Sequence, residues 1–266
     1  MTTAKTVKFS DRLATTTALQ SRLQLFQPTC RPKLISRHVE TPWGNATVVG
    51  KTGQSHANVM EAVFSQAHMH RQSADGLLQI LIDPYRLRLV AGGGRKMSHQ
   101  HLHTIFRELV QAQFEVSNAA LKMDLEGRFI DKIRISKIPV ETKNSRYVGN
   151  DRVKVGERHY LLFEVGRALT SLIHLDLPLH YDPMPIAALQ TGIGMAVARH
   201  VKTHRNVPNG GWILDRLLGA VGGATTVQQR RDQKAALALD AAGLLAVGVT
   251  IKDGRVEFAK KALQAP

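Results

Sequence analysis

Residues 225–260 read TTVQQRRDQKAALALDAAGLLAVGVTIKDGRVEFAK. Thr225 or Thr226 is placed to cap a helix whose first half is polar and basic and whose second half is Ala/Leu-rich. Past that helix, Asp253-Gly254 stands between two alternating runs, a strong signal for a two-residue hairpin turn. Gln228, Gln229, Arg230, Arg231, Gln233 and Lys234 crowd into the first turns of the helix. Gln pairs bidentately with adenine and Arg with guanine, and the N-terminal end of a helix is the part that reaches base edges.

Working outward, Leu179–Tyr181 reads as a short strand. Asp182-Pro183 then opens one long helix, PMPIAALQTGIGMAVARHVKTHR, with Ile186, Leu189, Ile193, Ala196, Val197 and Val201 on its core stripe. Asn209-Gly210-Gly211 breaks the chain. A second short helix, WILDRLLGAVG, ends at Gly222-Gly223.

The first half shows the same order of elements without a letter-by-letter repeat. VETPWGNATVVGK, residues 39–51, reads as a turn and a short strand. Ser55 caps a helix carrying Val59, Ala62, Val63 and Ala67 at helical spacing. Arg71–Gly76 reads as a polar loop and Leu77–Ile82 as a buried strand. Asp83-Pro84 starts the short helix PYRLRLVA, which Gly92, Gly93 and Gly94 end. Ser98 caps the next helix, with Leu102, Ile105, Phe106, Leu109 and Val110 facing the core. His99, Gln100, His103 and Arg107 are left on the other side, with Arg95 and Lys96 at the helix start. Two strand-like runs, Leu121–Leu125 and Phe129–Val140, joined by Glu126-Gly127-Arg128, predict a hairpin carrying Arg128, Lys132 and Arg134. Its counterpart in the second half carries Lys252 and Arg255.

Strand, helix, strand, short helix, capped helix and hairpin is the order of a winged helix. In that fold the last helix enters the major groove and the hairpin lies on flanking phosphate or minor groove. The expected fold class is α+β. Residues 1–38 are expected as a flexible basic arm and 39–142 as the first winged-helix domain. A polar linker at 143–157 leads to a second such domain at 158–266.

Lys and Arg number 36 against 21 Asp and Glu, a formal net charge of +15. Such a surplus points to a polyanionic partner. Aromatic residues make up only 5% of the chain, too few for the stacking platforms of a single-strand binder, which favours duplex DNA. A single cysteine, Cys30, excludes an internal disulfide framework and fits a reducing cytoplasm. No apolar run approaches the ~18–20 residues of a membrane span, and the N-terminus lacks the apolar core of a signal peptide.

Enzyme readings fare worse. His101-Leu102-His103 matches the His-hydrophobic-His pattern of rolling-circle nickases, but on a helix the two rings diverge by roughly 200°. The tyrosines, Tyr85, Tyr147, Tyr160 and Tyr181, form no YxxxY pair. His68 and His70 with the 99–103 histidines lack the cysteines or paired carboxylates of a metal cluster. Gly92–Lys96 lacks phosphate-loop spacing. No catalytic residue, metal or cofactor is expected.

The segments PNGGWILDRLLGAV and TTVQQRRDQKAALALDAAGLLAVGVTI resemble the C-terminal domain of small IncQ-type plasmid replication initiators. GKTGQSHANVMEAVF is similar to the opening of the first domain in initiators of the RepA and TrfA type. The likeness covers about residues 40–260. It implies a replication initiator with tandem winged helices that binds repeated origin sites on double-stranded DNA. It also implies local melting, recruitment of a host helicase or primase, and a homodimeric autoregulatory form. A transcriptional repressor or plasmid regulator on inverted repeats, and a His-dependent nickase, are the alternatives.

Overall fold

The computed structural model describes residues 14–73, 76–140, 146–148, 151–153, 158–222 and 226–259. The chain is α+β, with two large hydrophobic cores among the described residues and a small satellite cluster of Leu81, Val140 and Tyr160. The first centres on the helix Gln54–Ser65, buried from Gln54 to Phe64 except at Ser55. This helix starts before the expected cap. Gly53 is its N-cap, and the Gly53 N–H donates to Nδ1 of His56 at 3.2 Å.

Two antiparallel sheets share that core with the helix. One is a meander of Ile35–Thr41, Gly44–Gly50, Gln113–Asn118 and Met123–Arg128. The other runs in the spatial order Met69–Gln72, Leu78–Ile82, His159–Val165, Ile130–Pro139. Phe114, Phe129 and Phe163 are fully buried between them, each contributing roughly 1.5–3 kcal/mol of burial free energy. Helices Pro84–Ala91, His99–Gln111 and Arg167–Leu175 complete this half.

The pairing corrects the expected first hairpin. Met123–Arg128 pairs with Gln113–Asn118, whereas Ile130–Pro139 pairs with His159–Val165 in the other sheet. Gly127 makes no turn. A Cβ there would sit 3.0 Å from the Ala168 Cβ, so the glycine admits the helix Arg167–Leu175 onto the strand. The real turn lies upstream, where Asn118 Oδ1 accepts from the Leu121 N–H at 2.8 Å and Lys122 adopts φ 50°.

The expected linker is corrected as well. Residues 143–157 join two paired strands of one sheet and carry a further small pair, Arg146–Val148 with Asp151–Val153. The strand and helix after it, through Leu172, belong to the first core, and the second core begins at Ile186. The expected arm is also part of the fold from Ala14 onward. Thr15–Gln20 are buried, Ala18–Arg22 is helical, and Thr16–Thr17 pairs with Pro178–Leu179. The rest of the arm, 1–13, lies outside the described residues. Arg71 and Gln72, expected in the polar loop Arg71–Gly76, belong to the edge strand Met69–Gln72.

In the second half, Gly192–Lys202 is the buried central helix. Around it stand Leu214–Ala220, Val227–Leu239, Ala241–Ala246 and a three-stranded sheet ordered Trp212–Ile213, Arg255–Phe258, Val249–Lys252. Asp253 (φ 50°) and Gly254 (φ 71°) make the expected tight turn. Both long helices expected here are broken, one into Met184–Ala187 and Gly192–Lys202, the other at Asp240. Buried Asp240 links the two breaks. Its carboxylate accepts the Gln190 N–H at 2.6 Å, the Thr191 N–H at 2.9 Å and the Thr191 hydroxyl.

The central helices of the two halves meet along a polar seam. Arg199 donates to Glu61 through Nε and Nη2, both at 2.8 Å, and to Gln54 and Asn58. Tyr181 donates its hydroxyl to the same Glu61. Arg199 and Glu61 are 4% and 3% exposed, so this is a fully desolvated pair with its hydrogen bonds filled. Burial alone lowers the Arg199 pKa, but Glu61 outweighs it and the net shift is upward. Burial, then Glu61, pushes the Tyr181 phenol well up.

Candidate nucleic-acid interface

Each half presents one helix whose outer side is free of the core. In the first half this is His99–Gln111. Ser98 caps it by accepting from the His101 N–H at 3.2 Å, and only Leu102, Ile105, Phe106 and Leu109 are buried. His99, Gln100, His103 and Arg107 are exposed together on the opposite side, at the i, i+1, i+4, i+8 spacing of one helix face. The helix is fixed from behind by Glu108. Its carboxylate accepts from Lys51 at 2.8 Å and lies 2.9 Å from His56 Nε2 on the central helix. Burial lowers the His56 pKa and Glu108 partly restores it. Burial would raise the Glu108 pKa, but the hydrogen bonds from Lys51 and His56 prevail and lower it.

Arg95, Lys96 and Ser98 are exposed at the start of the helix. Lys96 lies over the Tyr85 ring at 4.3 Å, and Arg158 lies over the same ring at 5.1 Å while pairing with Asp83 at 2.7 Å. Arg88 lies 2.6 Å from His99 Nε2 and donates to the Met97 carbonyl at 2.6 Å. Sequence reading overlooked Tyr85, Arg88 and Arg158. Only the pairing of Leu78–Ile82 with His159–Val165 brings Arg158 beside the helix start.

In the second half the helix is Val227–Leu239, and Leu237 is its one buried residue. Thr226 and Gln229 form a capping box, with both reciprocal bonds at 3.3 Å. Gln229 is therefore committed to the cap. Gln228 donates to Asp232 at 2.9 Å, and Lys234 pairs with Asp215 at 2.8 Å. Arg230 and Arg231 are exposed and have no side-chain partner among the described residues. Gln233 is half-buried, and Thr225 lies outside the described residues.

The hairpin cations divide. Lys132 and Arg134 are exposed on Ile130–Pro139, with Arg134 paired to Glu164. Arg128 does not join them, because it ends a strand of the other sheet opposite Gln113. Lys252 and Arg255 face each other across the second hairpin, and Arg255 donates to the Gly210 carbonyl at 3.0 Å.

His101 and His103 lie on a helix, and His103 packs edge-on against Phe106. Among the described residues no group of three or more His, Cys, Asp or Glu converges as metal ligands would. Among them, too, no helix is long and apolar enough to cross a membrane. Comparison with family models, curated proteins and solved structures finds no match to this chain.

Proposed function

We propose that this chain is a sequence-specific double-stranded-DNA-binding protein built from two tandem winged-helix domains, acting as a plasmid replication initiator. One observation carries the DNA-binding reading. In both halves the strand before the short helix, the last strand and the strand between them lie in the same order. They are Leu78–Ile82, His159–Val165, Ile130–Pro139 in one, and Trp212–Ile213, Arg255–Phe258, Val249–Lys252 in the other. Each half adds an exposed, side-chain-capped helix that lies in the chain between its short helix and its hairpin arm. That is the strand order of a winged helix. The first domain carries the pair Gln113–Asn118 and Met123–Arg128 as an insertion between its exposed helix and its wing.

In this reading Arg230, Arg231 and Gln228 read bases in one major groove, and His99, Gln100, His103 and Arg107 read them in the next. Lys132, Arg134, Lys252 and Arg255 sit on phosphate. The net charge of +15 supplies the long-range attraction. Replication initiation, with a host helicase or primase as partner, rests on the resemblance of the segments around 50–64 and 208–251.

Selection from a random duplex library at about 150 mM salt tests this reading. Enrichment of one asymmetric site of roughly 20 bp bound by a monomer supports it. A palindrome bound by a dimer supports a repressor instead. Tight binding without enrichment shows that the basic surface is a non-specific polyanion binder.

A further inference from the structure

The central helix of the second half ends in a tightened turn, where the Thr203 N–H donates to the His200 carbonyl at 3.0 Å and the His204 N–H to the Val201 carbonyl at 3.2 Å. This turn brings the imidazoles of His200 and His204 together at an interplanar angle of 55°, with their Nε2 atoms 3.3 Å apart. Both tryptophans of the chain flank the pair. Trp43, from the first-half turn between Ile35–Thr41 and Gly44–Gly50, stands edge-on to both rings, at 5.7 Å from His200 and 5.8 Å from His204. Trp212 lies 5.4 Å from His204. His200 is buried, whereas His204 is half-buried and open to solvent on one side.

We infer that His200 and His204 form a two-histidine site for a divalent transition-metal ion, zinc in the first instance, at the seam between the halves. Two Zn–N bonds of ~2.05 Å at the tetrahedral angle span a chord of ~3.3 Å between the nitrogens. The observed separation, spanned by a hydrogen bond between the two rings, matches that chord. Water completes the coordination, because no third His, Cys, Asp or Glu converges there among the described residues. Neutral imidazole is the form that ligates metal. Arg22 lies 5.2 Å over Trp43 and donates to the Thr203 carbonyl at 2.6 Å. Its positive charge opposes a second cation and weakens the site. A metal held here cross-braces the turn that Trp43 packs on, tying occupancy to the docking of the two halves.

The site carries its own reporter, because Trp43 and Trp212 are the only tryptophans. The full chain, stripped with chelator, is titrated with Cu²⁺ as a quenching probe, and Zn²⁺ binding is measured by calorimetry. The expected result is saturable one-to-one quenching that excess Zn²⁺ reverses. In His204→Ala and His204→Gln it weakens by about tenfold or more. Zn²⁺ also raises the melting temperature of the parent chain and of His103→Ala, but not of the His204 variants. His204→Gln keeps a polar partner for His200, so a folding defect in the alanine variant does not decide the outcome. Non-saturating quenching, unchanged curves in both His204 variants, or loss of quenching in His103→Ala overturns the inference.

Discussion

Asp240 precedes the helix Ala241–Ala246 without capping it through its side chain, and its carboxylate instead holds the start of another helix. It accepts the Thr191 N–H at 2.9 Å, one residue before the helix Gly192–Lys202. It also takes the Gln190 N–H and the Thr191 hydroxyl while 2% exposed. Asp240→Ala leaves buried donors unmet and is expected to cost about 1–3 kcal/mol. Asp240→Asn keeps one acceptor oxygen and costs less. Urea denaturation of the two variants checks both the size and the order.

The seam between the halves predicts strong coupling. Arg199→Leu strands the Glu61 carboxylate in a dry site and is expected to cost about 3–5 kcal/mol. The double variant Arg199→Leu/Glu61→Leu removes both charges and recovers much of that loss. A double-mutant cycle by chemical denaturation measures the coupling. Equal costs for the single and double variants would show that the pair contributes through shape alone.

For DNA binding, Arg230→Ala is expected to lose about 1–3 kcal/mol and relax preference at one base position. Lys252→Ala weakens all sequences alike and reduces the salt slope by about one. With about eight phosphates neutralised, the parent slope of log affinity on log salt is near −7. Fluorescence anisotropy at several salt concentrations separates these effects. A parent slope shallower than about −2 contradicts binding along two grooves.

His56 and Glu108 set a pH dependence. Burial holds the folded His56 pKa below its ordinary 6.5, so the folded state binds fewer protons than the unfolded state just below that value. The His56 contribution is complete above about pH 6.5 and is lost as pH falls toward the lowered pKa. Glu108→Gln removes the group that partly restores this pKa and is expected to lower it further. NMR titration of the His56 ring reads the shift. Denaturation at about pH 7.5 and about pH 5.5 reads its consequence for stability.

What was legible in the sequence was local. The Asp253-Gly254 turn needed only its own backbone, and both residues take positive φ. The Ser98 and Thr226 caps were visible because cap and recipient N–H are three residues apart. The first hairpin was illegible because the partner of Ile130–Pro139 begins only at His159, beyond a polar stretch composed like a linker. Gly127 misled for a similar reason, since what it makes room for is Ala168. The helix breaks at 188–191 and at Asp240 were hidden because each is stabilised by the other. In the candidate interface, the exposed face around His99–Arg107 followed from periodicity, and Arg230–Arg231 from the polar, basic first half of their helix. The commitment of Gln229 to its cap, and the arrival of Arg158 at Tyr85, required the tertiary structure.

The Arg199–Glu61 seam has a metrical consequence for the proposed DNA complex. Halves locked together by a buried, fully bonded pair act as a gauge of fixed pitch. One base pair inserted between two half-sites swings the second through about 34–36° around the duplex axis. A hinged reader follows that swing, whereas a rigid gauge loses one of its two grips. Spacer length, as much as base identity, then becomes part of the code this chain enforces.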